Sequence, residues 1–162
     1  MKKISRITFI LIFCFILVPN SFAIELDAQL LVAVSKGDKS TAEKLLLEGA
    51  NPNTEGKFGY FPLIYAAEDN NIEVATMLFK YGASADKKTS SGYTALIAGS
   101  QQGNMQMVAL LLKHGAKLQT KNRKGQDAFM IAVQSGFEDV LSMLIGYGSS
   151  VNTADKDGFT AL

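Results

Sequence analysis

The sequence has few of the residues on which disulfide, metal and catalytic chemistry most often depends. Its 162 residues include one cysteine, Cys14, and one histidine, His114. A single cysteine excludes an intrachain disulfide framework. A single histidine leaves a metal site or a histidine-based active site without its usual partners. We interpret His114 as a structural residue, because it stands one position before a helix-ending glycine, where a protonatable side chain suits the helix dipole.

Other catalytic patterns are also missing from the sequence. No glycine-rich phosphate loop follows a strand pattern, and no serine lies in a nucleophile-elbow motif. The acidic pairs Glu68–Asp69 and Glu138–Asp139 are adjacent on helical patterns, so their carboxylates do not converge on one substrate. We therefore expect a non-catalytic protein that binds no cofactor and no metal. A hydrolase with an unrecognised site is the alternative class.

Long apolar runs are limited to one, near the N-terminus. The basic segment MKKISR precedes a twelve-residue segment at 7–18 that is apolar except for Thr8, and the small residues Ser21 and Ala23 follow. A bilayer-spanning helix needs roughly 20 apolar residues. The pattern predicts a secretory signal peptide over residues 1–23, cleaved after Ala23. We expect an exported protein that resides in the periplasm, with an extracellular destination as the alternative. An uncleaved membrane anchor is the alternative to the signal peptide.

Charge of one sign is not in excess. The chain has 16 basic and 15 acidic residues, a formal charge of +1. Lys2, Lys3 and Arg6 belong to the predicted signal peptide, which leaves 13 basic and 15 acidic residues and a formal charge of −2 over residues 24–162. This balance argues against nucleic acid as a partner held by bulk charge. Beyond the export signal, we expect no membrane partner.

The most informative feature is a repeat of turn residues. Three series share a 33-residue step: Gly49, Gly82, Gly115 and Gly148; Gly59, Gly92, Gly125 and Gly158; and Gly37, Asn70, Gly103 and Gly136. Asn is the other residue that tolerates a left-handed backbone. One period shared by three independent series indicates a repeat protein.

One unit, residues 92–119, predicts two short helices. Thr94 is a good N-cap for the first helix, and Gly103 lets the chain reverse. A second helix over about 105–114 ends at Gly115, in a left-handed C-cap. A polar, turn-rich segment then leads to the next unit. Pro62 and Asp127 mark helix starts in the neighbouring units.

Several motifs in fixed register resemble those of the ankyrin-repeat family. The family's opening motif, Thr-Pro-Leu-His, corresponds to FPLI at 61–64, TALI at 94–97 and DAFM at 127–130. Its Gly-Ala-x-x-Asn pattern corresponds to GANPN at 49–53 and, loosely, to GSSVN at 148–152. The resemblance covers about residues 27–162. It implies an all-α solenoid of helix–turn–helix units with projecting β-hairpin-like turns at a 33-residue period.

Two details follow from this resemblance. The histidine of the family motif is replaced by Ile64, Ile97 and Met130, which we expect to pack in the core instead of forming hydrogen bonds. We expect an ankyrin-repeat domain over 24–162, with its units at about 27–53, 54–86, 87–119 and 120–152. The final segment, DKDGFTAL, then begins a partial fifth unit at 153–162.

The two ends of the solenoid differ in polarity. Thr41 and Lys44 stand where later units have apolar residues, as expected of a unit that ends an apolar stack. The fourth unit shows no such change, so we expect an exposed apolar face formed by Val140, Met143 and Leu144. We interpret the chain as a fragment of a longer product. The alternative is self-association through this uncapped repeat.

The resemblance also implies a concave binding surface lined by turn tips and first helices. Aromatic residues follow or lie near the turn glycines, polar residues lie at matching helix positions, and basic residues lie at the tips. The candidate contact residues are Phe58, Tyr60, Glu68, Asp69, Lys88, Tyr93, Ser100, Gln101, Arg123, Lys124, Gln134 and Phe159. The alternatives are solvated lysines and aromatic rings that cover neighbouring backbone.

The expected function is non-catalytic protein binding in the cell envelope. The sequence leaves the partner open: a scaffolded envelope enzyme, a toxin or envelope enzyme that the protein inhibits as an immunity-type protein, or a host target.

Overall fold

The computed structural model describes residues 19–160, which form eight α-helices. They are α1 (Pro19–Ser35), α2 (Lys39–Leu47), α3 (Pro62–Glu68), α4 (Ile72–Lys80), α5 (Ala95–Gln101), α6 (Met105–Lys113), α7 (Ala128–Ser135) and α8 (Glu138–Gly146). A short 3-10 helix covers Lys57–Gly59.

Residues 1–18 of the predicted signal peptide lie outside the described residues. Helix α1 begins at Pro19 and continues through the predicted cleavage position at Ala23. None of the helices described between residues 19 and 160 has the length and apolarity required to cross a membrane.

The helices form two layers that run the length of the stack. First helices α1, α3, α5 and α7 pack on one another in chain order, and second helices α2, α4, α6 and α8 do the same. Each first helix also packs on the second helix of its own unit. From the second unit onward, first helices start at Pro62, Ala95 and Ala128, in steps of 33 residues. The all-α solenoid is therefore confirmed.

The core is continuous from unit to unit. Helices α2 to α8 have seven to nine residues each, and helices this short are not stable alone. Their stability comes from burial between neighbours. The residues at the family's histidine position, Ile64, Ile97 and Met130, are buried, so the expected packing role is confirmed.

The helix starts agree with the predicted caps. The Thr94 side chain accepts a hydrogen bond from the Ile97 amide at 3.2 Å, and the Asp127 side chain accepts one from the Met130 amide at 3.0 Å. Pro62 occupies the first position of α3. Each interaction satisfies or removes a donor that the first turn leaves unpaired.

The predicted hairpin-like turns are present at regular intervals. In each, one backbone amide bonds to the carbonyl four residues later: 56 to 60, 89 to 93, 122 to 126 and 155 to 159, at 2.7 to 2.9 Å. Successive turns also join each other, because the Arg123 amide donates to the Ser91 carbonyl and the Lys156 amide to the Lys124 carbonyl. Residues 155–159 of the final segment thus form the fourth of these hairpins, which stacks on the third.

The predicted exposed face at the end of the fourth unit is wrong. Val140 and Leu144 are fully buried, and Met143 is half-buried. The register position of Val140 is buried in every unit except the first, where Thr41 is exposed. This position therefore faces the preceding unit.

The uncovered apolar position of the fourth unit is Ile145, which is 49% exposed. Its counterparts one and three units earlier, Leu112 and Leu46, are buried. Ile145 thus occupies a position that faces the following unit.

A matched pair of glycine substitutions separates the cost of backbone strain at a turn from the cost of a clash with the neighbouring hairpin. Gly115 has a φ of +83°, and nothing lies within 4 Å of an added Cβ. We expect Gly115→Ala to destabilise the protein by about 1–2 kcal/mol through backbone strain alone. Gly92 has a similar φ of +77°, but its Cβ would lie 2.5 Å from the Lys121 carbonyl oxygen.

Gly92→Ala should therefore cost clearly more than Gly115→Ala, because the stacked hairpin must also move. Urea denaturation of both variants and the wild type measures the difference. Equal costs would show that hairpin stacking adds nothing to the strain.

Candidate functional site

One side-chain contact recurs in three units and joins each hairpin to the first helix that follows. The Tyr60 hydroxyl donates to Glu68 at 3.2 Å, and the Tyr93 hydroxyl donates to Gln101 at 3.0 Å. In the next unit, Gln126 Nε2 donates to Gln134 Oε1 at 3.1 Å. Each pair spans eight residues. The structure therefore brings five predicted contact residues and Gln126 together as three hydrogen-bonded pairs.

The tyrosines of adjacent units also contact each other. The ring centroids of Tyr60 and Tyr93 are 6.2 Å apart with an interplanar angle of 31°. Tyr65, which the sequence analysis did not single out, lies 5.2 Å from Tyr60. All three rings pack against the core and are half-buried. We call these three residues the tyrosine cluster. Tyr65 has Ala98 and Ile131 as its counterparts, so no repeated signal marked it.

Glu68 lies half-buried beside the tyrosine cluster. Burial raises its pKa, and the hydrogen bond from Tyr60 opposes that shift, while the nearby Asp69 charge raises it further. Burial and the Glu68 charge in turn raise the pKa of Tyr60 and the pKa of Tyr93. At neutral pH the site therefore combines neutral phenols with a carboxylate held in a partly desolvated environment.

A groove connects this region to the basic tip of the next hairpin. It has a volume of about 290 Å³. Its lining includes four predicted contact residues, Tyr93, Gln101, Arg123 and Lys124. We call this cavity the tip groove.

Asn122, which sequence reasoning missed, shapes the hairpin beside the tip groove. Its Oδ1 accepts hydrogen bonds from the amides of Lys124 and Gln126 at 2.9 and 3.0 Å. Thr89 and Asp155 are its counterparts at the same 33-residue step, and both also accept amide bonds within their own hairpins. That recurrence was available in the sequence.

Three predicted residues lie apart from these contacts. Phe58 is 87% exposed and Phe159 is 70% exposed, each on a different hairpin, and Lys88 is exposed on a third. The structure gives none of the three side chains a hydrogen bond within the described part of the chain. Phe58 has a φ of +61°, which is strained for a large aromatic residue.

Asp69 directly follows α3 and Gln134 lies on α7, and both are exposed as predicted, but the placement of Ser100 is wrong. Ser100 is 0% exposed. The 33-residue step aligns it with the buried Ala67, whereas Gln101 aligns with Glu68. Ser100 is thus one position out of register and faces the core, and it does not belong to the candidate surface.

His114 lies exposed at the end of α6. Its ring stacks on Phe79 of the preceding unit, with centroids 3.9 Å apart and an interplanar angle of 4°. This contact supports the structural interpretation. Among residues 19–160, no group of three or more His, Cys, Asp or Glu side chains is placed to hold a metal ion.

Two stacked layers of short helices with joined hairpins define a helical solenoid whose side-chain cluster lies where hairpins meet first helices. Two family models match the chain. The model described as "Ankyrin repeats (3 copies)" matches residues 30–122, and the model described as "Ankyrin repeats (many copies)" matches residues 100–145. The chain belongs to the ankyrin-repeat family and carries a protein–protein interaction module. Domains of this family are generally non-catalytic. A search among curated proteins gave no match.

The buried Ser100 hydroxyl generates a stability prediction. It has no hydrogen-bond partner within the described residues, and an unpaired buried hydroxyl is costly. We expect Ser100→Ala to stabilise the protein by roughly 1 kcal/mol. Thr94→Ala, which removes a hydroxyl that caps α5, should instead cost about 1 kcal/mol. Thermal unfolding of both variants gives the comparison, and a loss in Ser100→Ala would contradict it.

Glu68→Gln should stabilise the protein at neutral pH. The folded state raises the Glu68 pKa, so its burial carries no ionisation penalty below the ordinary pKa, and the penalty grows as the pH rises from that value until it is complete above the raised pKa. Glutamine keeps an acceptor for Tyr60 and does not titrate. The gain should therefore be present at pH 7 and vanish below the ordinary value of 4.5. Urea midpoints at pH 7 and pH 3.5 measure it, and a gain independent of pH would disprove the assignment.

Proposed function

We propose that the protein binds a partner protein through one surface formed by its hairpin tips and first helices, and that it does so without catalysis. The observation that carries this proposal is the tip groove. It joins Tyr93 and Gln101 of one unit to Arg123 and Lys124 of the next. Aromatic rings beside adaptable polar and cationic groups are the composition that protein interfaces favour.

The backbone of the proposed surface is held by hydrogen bonds, whereas its basic side chains are exposed. The Arg123 amide is held by the Ser91 carbonyl at 2.7 Å, whereas the Arg123 and Lys124 side chains are exposed. Tyr60 and Tyr93 are held by the core on one side and by hydrogen bonds to the first helices on the other. Binding therefore needs little ordering of the backbone, and the entropic cost falls mainly on the Arg123 and Lys124 side chains.

The location that we propose is the periplasm, on the strength of the basic, apolar and small-residue pattern over residues 1–23. An extracellular destination is the alternative. A scaffold for an envelope enzyme and an inhibitor of immunity type use the same surface and differ in the partner. Adding the protein to its isolated partner and measuring that partner's activity separates the two roles.

Charge reversal tests the proposed surface. Arg123→Glu with Lys124→Glu should reduce capture of the partner from envelope extract at least about tenfold, because reversal of two interface charges replaces attraction by repulsion. Helical content should not change, since both side chains are exposed. The measurement is quantitative mass spectrometry of proteins retained on the tagged full chain.

The matched control is Lys39→Glu with Lys113→Glu, which changes the net charge equally on the exposed surface of α2 and α6. This control should capture the partner as the wild type does. If both double variants capture equally, the proposed surface is wrong.

A further inference from the structure

Glu68 carries a charge that its structural role does not require. The hydrogen bond from the hairpin tyrosine to the first helix is made to a carboxylate in the second unit and to the neutral amide of Gln101 in the third. The fourth unit uses the amide of Gln134. Because two of three units hold the same contact without a charge, the fold alone does not account for a carboxylate at this position.

No cationic side chain of the described residues pairs with this charge. Within residues 19–160 the ion pairs are Lys44–Glu48, Lys80–Glu43 and Lys117–Asp86, and none involves Glu68. A partly buried carboxylate without a cation is unfavourable unless something compensates it. The neighbouring Asp69 adds a second negative charge.

The surroundings of Glu68 suit a cation. The Tyr60 hydroxyl donates a hydrogen bond to Glu68, and the Tyr93 hydroxyl donates one to Gln101. One accepted hydrogen bond leaves acceptor capacity on the Glu68 carboxylate, which offers about four lone-pair positions. The ring faces of a tyrosine pair attract a cation through their quadrupoles. A carboxylate beside aromatic rings is thus a combination that a guanidinium or ammonium group fits.

We infer that Glu68, Tyr60 and Tyr93 form a subsite for a cationic side chain of the partner protein, an arginine in preference to a lysine. Arginine fits better because its planar fork matches a carboxylate and stacks on aromatic rings. This inference rests on the proposed function and names the chemistry of one contact within it.

The tip groove gives the partner an orientation. Its Arg123 and Lys124 lie one hairpin further along the stack than Tyr93. Tyr93 contributes to both places, so the acidic subsite and the basic tip are adjacent. A partner segment that places arginine at Glu68 presents its acidic groups toward the C-terminal side of the stack.

The test uses a capped tripeptide with arginine between two glycines, titrated into the full-length protein and followed by NMR. We expect chemical-shift changes at the tyrosine cluster and Glu68, with weak, millimolar-range affinity. The same tripeptide with citrulline, the neutral isostere of arginine, should bind at least about tenfold more weakly, the factor expected from loss of one charged contact.

Glu68→Gln should lose binding of the arginine tripeptide by a similar factor. It is expected to fold, because Gln101 occupies the same position in the next unit. Glu73→Gln is the charge-matched control, since Glu73 lines a groove between α2 and α4 with Lys39 and Lys80. This control should bind the tripeptide as the wild type does.

Equal binding of the arginine and citrulline tripeptides, or equal binding by wild type and Glu68→Gln, overturns the inference. Binding of spermidine without binding of the tripeptide also overturns it, because the site then serves a free polyamine. If the tripeptide does not bind but partner capture still depends on Arg123 and Lys124, the subsite is disproved and the proposed function stands.

Discussion

Burial between neighbouring units is the interaction on which every other feature depends. No helix from α2 to α8 exceeds nine residues, so none holds its shape without the apolar faces beside it. The first helices α3, α5 and α7 pack against one another in succession, and they also carry Glu68, Gln101 and Gln134. The candidate surface is therefore positioned by the same packing that holds the core together, and local unfolding of one unit would displace residues on the next.

The parts of the fold that could be predicted are those set by local backbone chemistry. All twelve residues of the three turn series have left-handed φ values between 50° and 102°, and glycine and asparagine signal that requirement directly. The helix-start signals at Pro62, Thr94 and Asp127 could likewise be read from the sequence, because capping residues act within one turn. Hairpin spacing followed from the same period.

Contacts between units were harder to predict, since they depend on which face of a helix meets which neighbour. Val140 and Ile145 are both apolar, yet one faces the preceding unit and the other the following unit, and the sequence pattern does not separate these faces. Ser100 was assigned to the surface through a one-residue error in register, which on a helix turns a side chain by about 100°. The pairing of Glu68 with Tyr60 required the structure, because nothing in an eight-residue separation indicates a contact.

The backbone hydrogen bonds between hairpins limit which sequence changes this surface tolerates. The amides of Arg123 and Lys156 are fixed to the carbonyls of Ser91 and Lys124, and an added Cβ at Gly92 or Gly125 would collide with the next hairpin's backbone. Lengthening one hairpin would break this ladder, whereas exchanging the exposed side chains at 123 and 124 leaves it intact. Single substitutions can therefore alter the proposed binding surface without disturbing the ladder, whereas insertions and deletions in the hairpins would break it.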